Sequence, residues 1–308
     1  MPKMQQVMQD IHGSEDWETI REITGNWSND RKFFIQKKNG EKLLLRLADS
    51  FLYEEKKREY ARVQRWNTLP FPMSQALAFG LCAQGSFSYT LLSWVEGDSL
   101  DKLLPSMTKQ EQYQLGVQAG KILKAIHGLP VDPADLPKQE PQALMLQRLS
   151  RYEQSDVRVK GDEPVIAYVK ENLDKTRVGL PPVYQHGDFK VSNLVLTPEK
   201  ELGIIGFHRQ GCGDRYQEFD QLEAFDVEVS ILFSLGQLHG YFDGDPDDSF
   251  WDALSVYSAY ASLVSINWAK KFGDDEVARM QHRFAVTYED HKAYANRIPK
   301  WYVPVSCI

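Results

Sequence analysis

The chain has 308 residues, 42% of them hydrophobic and 26% charged, enough apolar material for about two domains or lobes. Lys and Arg number 36 against 43 Asp and Glu, a formal net charge of -7, which argues against a broad phosphate-binding surface and so against nucleic acid as a partner, and would draw in a cationic one. Cys82, Cys212 and Cys307 are far apart, odd in number and free of C-x-x-C spacing, which excludes a disulfide framework and a zinc site and leaves reduced thiols as the expectation.

In chain order, the opening "MPKMQQVMQDIHGSED" has no apolar leader core. The most apolar later stretch, 254–269, is broken by Ser, Tyr and Asn short of a span of about 20 apolar residues. A cytoplasmic protein with no membrane partner, monomeric or dimeric, is therefore expected. From residue 17 to 47 the pattern is one of short strands, "WETIREIT", "KFFIQ" and "KLLLRL", the last two joined across Asn39-Gly40, a pair whose members both accept positive φ. Residues 51–66 form a charged, helix-favouring segment ending before Pro70 and Pro72. "AQGSFSYTLLSWVEG" reads as a second hairpin running into a linker at Glu96-Gly97.

Beyond Gly97 the character changes. Thr108 with Glu111 makes a capping box, followed by Leu115, Ala119, Ile122, Leu123 and Ile126 at helical spacing. Residues 131–180 read as a helical insertion with a helix over 163–175, and from Leu222 aromatic-rich helices dominate, divided by the acidic turn "DGDPDD" at 243–248. The expected class is α+β, with a β-rich first domain over 1–96 and a helical second domain over 97–308.

The chemistry is concentrated in "YQHGDFKVSNLVLTPEKELGIIGF", residues 184–207. Phosphoryl transfer needs a carboxylate to orient the attacking hydroxyl and accept its proton, and ligands that hold magnesium against the nucleotide's phosphates. Asp188 and Asn193 stand in D-x-x-x-x-N spacing between two strand-like runs, the context that chemistry requires. The plainer alternative makes Asp188 a turn residue and Asn193 a cap. In the strand "KLLLRL", Arg46 is a cation in apolar company and needs a carboxylate, for which Glu59 is the candidate, with Glu55 one turn earlier in reserve. Glu218, Asp220, Glu223, Asp226 and Glu228, then Asp243 to Asp248, form acidic clusters that would attract a polycation or else make a solvated face.

"HGDFKVSNLVL" followed by "LGIIGFHRQGCGDRYQEFD", with "LLSWVEGDSL" and "LGVQAGKILKAIH" before them, resembles the aminoglycoside phosphotransferase family over nearly the whole chain. The resemblance implies a protein-kinase-like fold with a hinge between a small and a large lobe, and ATP or GTP with Mg2+ as cofactors. It further implies Asp188 as catalytic base, His186 as a loop-bracing residue and Asn193 as a magnesium ligand. Arg46 would contact the α- and β-phosphates and pair with Glu59, Ser93 and Val95 would meet the base through their backbone, and the turn "GNWSNDRK", with Ser28 and Asn29, would cover the phosphates.

Two positions depart from the family pattern. Gly206 stands where the family has a metal-bridging aspartate, and a glycine brings no ligand, so a severe loss of rate is expected. Three explanations stand beside one another: an inactive variant, a protein that binds nucleotide without efficient transfer, and an enzyme that uses fewer metal ligands. Lys190 replaces a common histidine and either neutralises phosphate charge beside Asp188 or is a solvated surface lysine. The acceptor implied is a small molecule bearing a hydroxyl, cationic if aminoglycoside-like.

Overall fold

Side chains of a strand point alternately to its two faces, and Phe33, Ile35, Leu43, Leu45 and Leu47 of two adjacent strands turn inward at the centre of a five-stranded antiparallel sheet. The computed structural model describes residues 7–24, 30–176 and 179–308. The chain divides into two units, Met1–Asp98 with Val195–His208, and Ser99–Leu194 with Arg209–Ile308. The boundary read from the sequence after residue 96 is thus crossed a second time, by a segment that packs with the first unit.

In the first unit, β1 (Trp17–Ile23), β2 (Arg31–Lys37), β3 (Lys42–Asp49), β4 (Ala76–Cys82) and β5 (Phe87–Ser93) lie in the order β1-β2-β3-β5-β4. Phe33 and Ile35 of β2 and Leu43, Leu45 and Leu47 of β3 are buried with Val7, Met8, Ile11, Trp17, Cys82 and Leu91 in one core. The β2–β3 turn falls at Asn39-Gly40 as expected, but only Gly40 has positive φ, at 88°. The second hairpin starts earlier than its sequence suggested. Its first strand is β4, and Ala83, Gln84 and Gly85 are the turn, with φ of 52°, 55° and 84°. "ALAFGLC" hides this because it has no polar alternation and a glycine in its middle. Helix α1 (Tyr53–Trp66) buries Glu59, Val63 and Trp66. A smaller sheet in the order β6-β8-β9 joins β6 (Asp98–Ser99), β8 (Leu194–Leu196) and β9 (Leu202–Ile204).

The second unit is mainly helical: α2 (Lys109–His127), α3 (Pro141–Glu153), α4 (Glu163–Asn172), α5 (Ile231–Phe242), α6 (Asp248–Ala269) and α7 (Asp274–Asp290). Thr108 caps α2 with both bonds of the capping box present. The helix expected over 163–175 continues past α4 as a 3-10 turn, Leu173–Thr176. Helices α2 and α5 meet through Gly116 and Gly120 on one side and Gly236 and Gly240 on the other. A Cβ at any of the four would lie 2.1–2.2 Å from a backbone oxygen of the facing helix, so the two backbones approach as only glycine allows. Helix α6 is buried on nearly every side and packs against α3, α4 and α7. Among the described residues, no helix is long and apolar enough to cross a membrane.

Candidate active site

Strand β7 (Val183–Gln185), paired with β10 (Gly211–Gly213), delivers the chain into the loop that carries Asp188, and a 3-10 turn at Val191–Asn193 returns it to β8. Gly187 has φ of 75°, and a Cβ there would meet the Arg209 carbonyl oxygen at 2.0 Å, so this corner admits glycine alone. Three donors of the loop are received locally. Gly187 N–H donates to Glu218 Oε1 at 2.8 Å, Asp188 N–H to His186 Nδ1 at 3.3 Å, and Val191 N–H to Asp226 Oδ1 at 2.8 Å. His186 is fully buried with its ring edge-on to Phe189.

Asp188 is 4% exposed. Asn193 Nδ2 donates to its Oδ2 and to its carbonyl oxygen, each at 2.7 Å, and Lys190 Nζ lies 3.0 Å from Oδ1. Arg209 approaches the same oxygen at 3.7 Å. Burial pushes the carboxyl up, but the Lys190 ammonium, with Arg209 and His186 beyond it, outweighs burial and holds Asp188 below the ordinary carboxylate range. The carboxylate is therefore ionised at neutral pH and able to orient a hydroxyl and take its proton.

The solvated alternative for Lys190 is not what the structure has. Lys190 is 7% exposed, ion-paired to Asp188, with its ammonium 4.8 Å from the Phe225 ring centre. An apolar ring face and a buried carboxylate together hold a cation that sequence alone leaves free to be solvated.

Of the two acidic clusters, that at 218–226 is likewise not a solvated face, whereas Asp243, Asp245, Asp247 and Asp248 are exposed. Glu218, Glu223 and Asp226 are buried. Glu218 and Asp226 receive the loop amides, Glu223 pairs with His291 at 2.9 Å, and Glu228 holds Arg283 at 2.9 Å. Asp245 receives the Tyr302 hydroxyl at 2.7 Å and Asp247 caps α6. Asp220 keeps a Gln221 contact at 3.0 Å, and burial pushes its carboxyl up to about 6. Asp220, Glu223, Phe225, Ser258, Met280 and Arg283 line a cavity of about 50 Å³, room for a few water molecules.

In the first unit, Arg46 is buried in β3 and all three of its guanidinium nitrogens donate. Nη2 reaches Glu59 Oε2 at 3.1 Å, the pairing the sequence suggested, and Nη1 donates to the Phe207 carbonyl at 3.1 Å. Two partners were missed: Nε donates to Asp30 Oδ2 at 3.0 Å, and Lys56 closes the ring with 3.1 Å to Asp30 and 3.0 Å to Glu59. Lys56 stands three residues before Glu59 on α1, a spacing that could have been read as one helical face. Asp30 offered no such sign, because it lies in a polar turn. Ser28 and Asn29 lie outside the described residues. Ser93 ends β5 with its N–H on the Gln75 carbonyl at 2.9 Å and its Oγ accepting from Gln75 N–H at 2.8 Å. Val95 follows two residues on, its side chain against Gly203 of β9.

The donors present do not fit a two-carboxylate magnesium site. Asn193 has committed its amide nitrogen to Asp188 and keeps its oxygen, whereas the Asp188 carboxylate faces a lysine. Gly206, with φ of 89°, offers only a carbonyl, which accepts the His208 N–H at 2.7 Å. Asp214 cannot substitute, since it receives the Tyr216 N–H at 3.0 Å and the Tyr257 hydroxyl at 2.6 Å. Among the described residues, no group of three or more His, Cys, Asp or Glu is placed to hold a metal ion.

A family model described as the phosphotransferase enzyme family matches residues 19–254. By sequence, no curated protein matches the chain. The fold is similar to that of the GDP complex of an aminoglycoside 2'-phosphotransferase-IIIa, with 14% identity over 94% of this chain and 98% of that one and a TM-score of 0.72. It is similar also to a choline/ethanolamine kinase family protein from Mesorhizobium loti, with 15% identity, 95% of each chain and a TM-score of 0.67. A thermostable mutant of the aminoglycoside phosphotransferase APH(4)-Ia, in complex with AMP-PNP and hygromycin B, matches with 15% identity over 91% of this chain and 95% of that one, at a TM-score of 0.63. At these identities the likeness is one of fold, the kinase-like α+β fold of aminoglycoside phosphotransferases, and it runs nearly the length of the chain.

Proposed function

Because the chain belongs to the phosphotransferase enzyme family, we propose that this small-molecule phosphotransferase uses ATP or GTP and moves the γ-phosphoryl group onto a hydroxyl oriented by Asp188. The observation that carries the reading is the state of that carboxylate: buried, ionised, and fixed by Lys190 on one oxygen and Asn193 on the other. In the step, the acceptor oxygen bonds to the γ-phosphorus and its proton passes to Asp188. The bond from the γ-phosphorus to the bridging oxygen breaks, leaving a nucleoside diphosphate. Lys190 is the cation nearest the reacting atoms, and it is the group we assign to charge on the transferred phosphoryl. Nucleotide use is supported by the GDP and the AMP-PNP held in two of the similar structures.

Mg2+ enters this reading only as a companion of the nucleotide's phosphates. Asn193 Oδ1 is the side-chain oxygen we assign to it, position 206 contributes no carboxylate, and slow transfer follows. For the acceptor, the internal engagement of Glu218, Glu223 and Asp226 removes three acids of the 218–228 cluster from any contact with a polycation. An alcohol bearing a single amino group suits the chain's formal net charge of -7 without calling on those acids. The second reading, a protein that binds nucleotide and transfers poorly, is favoured by Gly206 alone. Phosphoryl transfer from ATP and from GTP to amino alcohols, aminoglycosides and macrolides, measured before and after Gly206→Asp, separates the two. A gain of about a hundredfold or more on reversion supports an impaired phosphotransferase, and no nucleotide-induced thermal shift in either form refutes both readings.

A further inference from the structure

One turn of π-helix, Leu222–Asp226, carries two side chains, Phe225 and Asp226, whose contacts lie on the catalytic loop, and the reaction described above uses neither. Such wide turns are rare and gather at functional sites, since the extra residue re-aims the side chains that follow. Phe225 has the Lys190 ammonium 4.8 Å and the Arg283 guanidinium 4.2 Å from its ring centre. Asp226, 0% exposed, receives Val191 N–H on Oδ1 at 2.8 Å, and its Oδ2 has no hydrogen-bond partner among the described residues. Glu223 pairs with His291, just past the end of α7, and His291 Nδ1 in turn contacts the Asn296 carbonyl at 2.9 Å, so the turn is anchored on its other side.

We propose that this turn is the positioning element of the catalytic loop: Asp226 fixes the Val191–Asn193 turn and Phe225 fixes the Lys190 ammonium, and through them both oxygens of Asp188 are held. The connections are short. Val191 begins the 3-10 turn that ends at Asn193, the Asn193 N–H donates to the Lys190 carbonyl at 2.8 Å, and the Asn193 amide holds Asp188. Without the Asp226 oxygen, a buried backbone donor loses its partner and the turn loses its anchor. Lysine has four rotatable bonds, and the aromatic face limits where its charge comes to rest. Burial pushes the Asp226 carboxyl up to about 8, so near neutral pH it accepts the amide without adding a second negative charge beside Asp188. A neutral acceptor is what asparagine also supplies.

The effect on rate rests on the phosphotransferase reading, whereas the effect on the loop does not. Amide hydrogen exchange at Val191 and Asn193, together with kcat and KM for nucleotide, is to be measured in the full chain and in Asp226→Ala, Asp226→Asn and Phe225→Leu. Asp226→Ala is expected to speed exchange at Val191 and to lower kcat, each by about tenfold, with KM for nucleotide unmoved. Asp226→Asn recovers both, and Phe225→Leu lowers kcat while leaving Val191 protected. Unchanged exchange in Asp226→Ala, or an equal loss in Asp226→Asn, overturns the proposal. Should Asp226→Ala fail to fold, Phe225→Leu with unchanged kcat overturns it instead. A full chain that transfers no phosphate even with Gly206→Asp refutes the phosphotransferase reading, and the exchange comparison still decides the positioning one.

Discussion

Arg46 and its neighbours make a closed ring of two cations and two carboxylates inside the first unit. Glu59 and Lys56 come from α1, Asp30 from the residue before β2, and Arg46 from β3 itself. Burial pushes the Asp30 carboxyl up, but Arg46 and Lys56 together bring it below its ordinary value, so the ring is ionised. Breaking a buried pair from one side leaves an uncompensated charge. Arg46→Ala is therefore expected to cost about 3–5 kcal/mol in urea unfolding, with the slope of the transition unchanged. A loss under about 1 kcal/mol would mean that water enters the ring and screens it.

At the scale of elements, the contact of α2 with α5 is set by glycines rather than by large side chains. Both helices place them four apart, Gly116 with Gly120 and Gly236 with Gly240, and each pair faces the backbone of the other helix. A methyl group at Gly236 would fall 2.2 Å from the Tyr113 carbonyl oxygen, and neither backbone can give without moving a whole helix. Gly236→Ala is expected to destabilise by about 3 kcal/mol, against well under 1 kcal/mol for Gly128→Ala at the exposed end of α2, where φ is -79° and a methyl group would meet nothing nearer than 3.4 Å, compared by thermal unfolding. Equal effects would show that the close approach is not what holds the two helices. This contact was not legible in the sequence. The Leu115 to Ile126 spacing announces a helix, but a glycine four residues from another says nothing of its partner until the fold brings the two together.

For the molecule as a whole, pH dependence follows from which groups hold protons more tightly when folded. Burial raises Asp220 to about 6 and Asp226 to about 8, and His291 is raised because Glu223 overcomes the opposing effect of burial. A folded value above the unfolded one means that the folded state binds more protons, so the contribution is present at low pH and lost as pH rises through the folded value. Asp30 and Asp188 are lowered, and their contribution is present above about 4 and lost as pH falls through their folded values. The melting temperature is accordingly expected to fall from about pH 5.5 to about pH 8.5, and to fall less in Asp226→Asn. A melting temperature that rises across that window would contradict the assignment of the raised groups.

Much of the architecture could be read before any coordinates, because the short apolar strand runs joined at Asn39-Gly40, the Thr108 capping box and the Asp188–Asn193 spacing are local signals. What escaped depends on distance in space. Asp30 is a polar turn residue until Arg46 is beside it, and Lys190 reads as solvated until Phe225 and Asp188 enclose it. Glu218 and Asp226 read as surface acids until the loop amides point at them.

The central claim is that the Asp188 carboxylate takes the acceptor's proton during phosphoryl transfer. Its most direct test is the transfer rate at saturating nucleotide in the Gly206→Asp background, with and without Asp188→Asn. Asparagine keeps the shape and loses the base, so kcat is expected to fall by about a hundredfold or more while nucleotide affinity holds. A double variant that transfers as fast as Gly206→Asp alone would contradict the account.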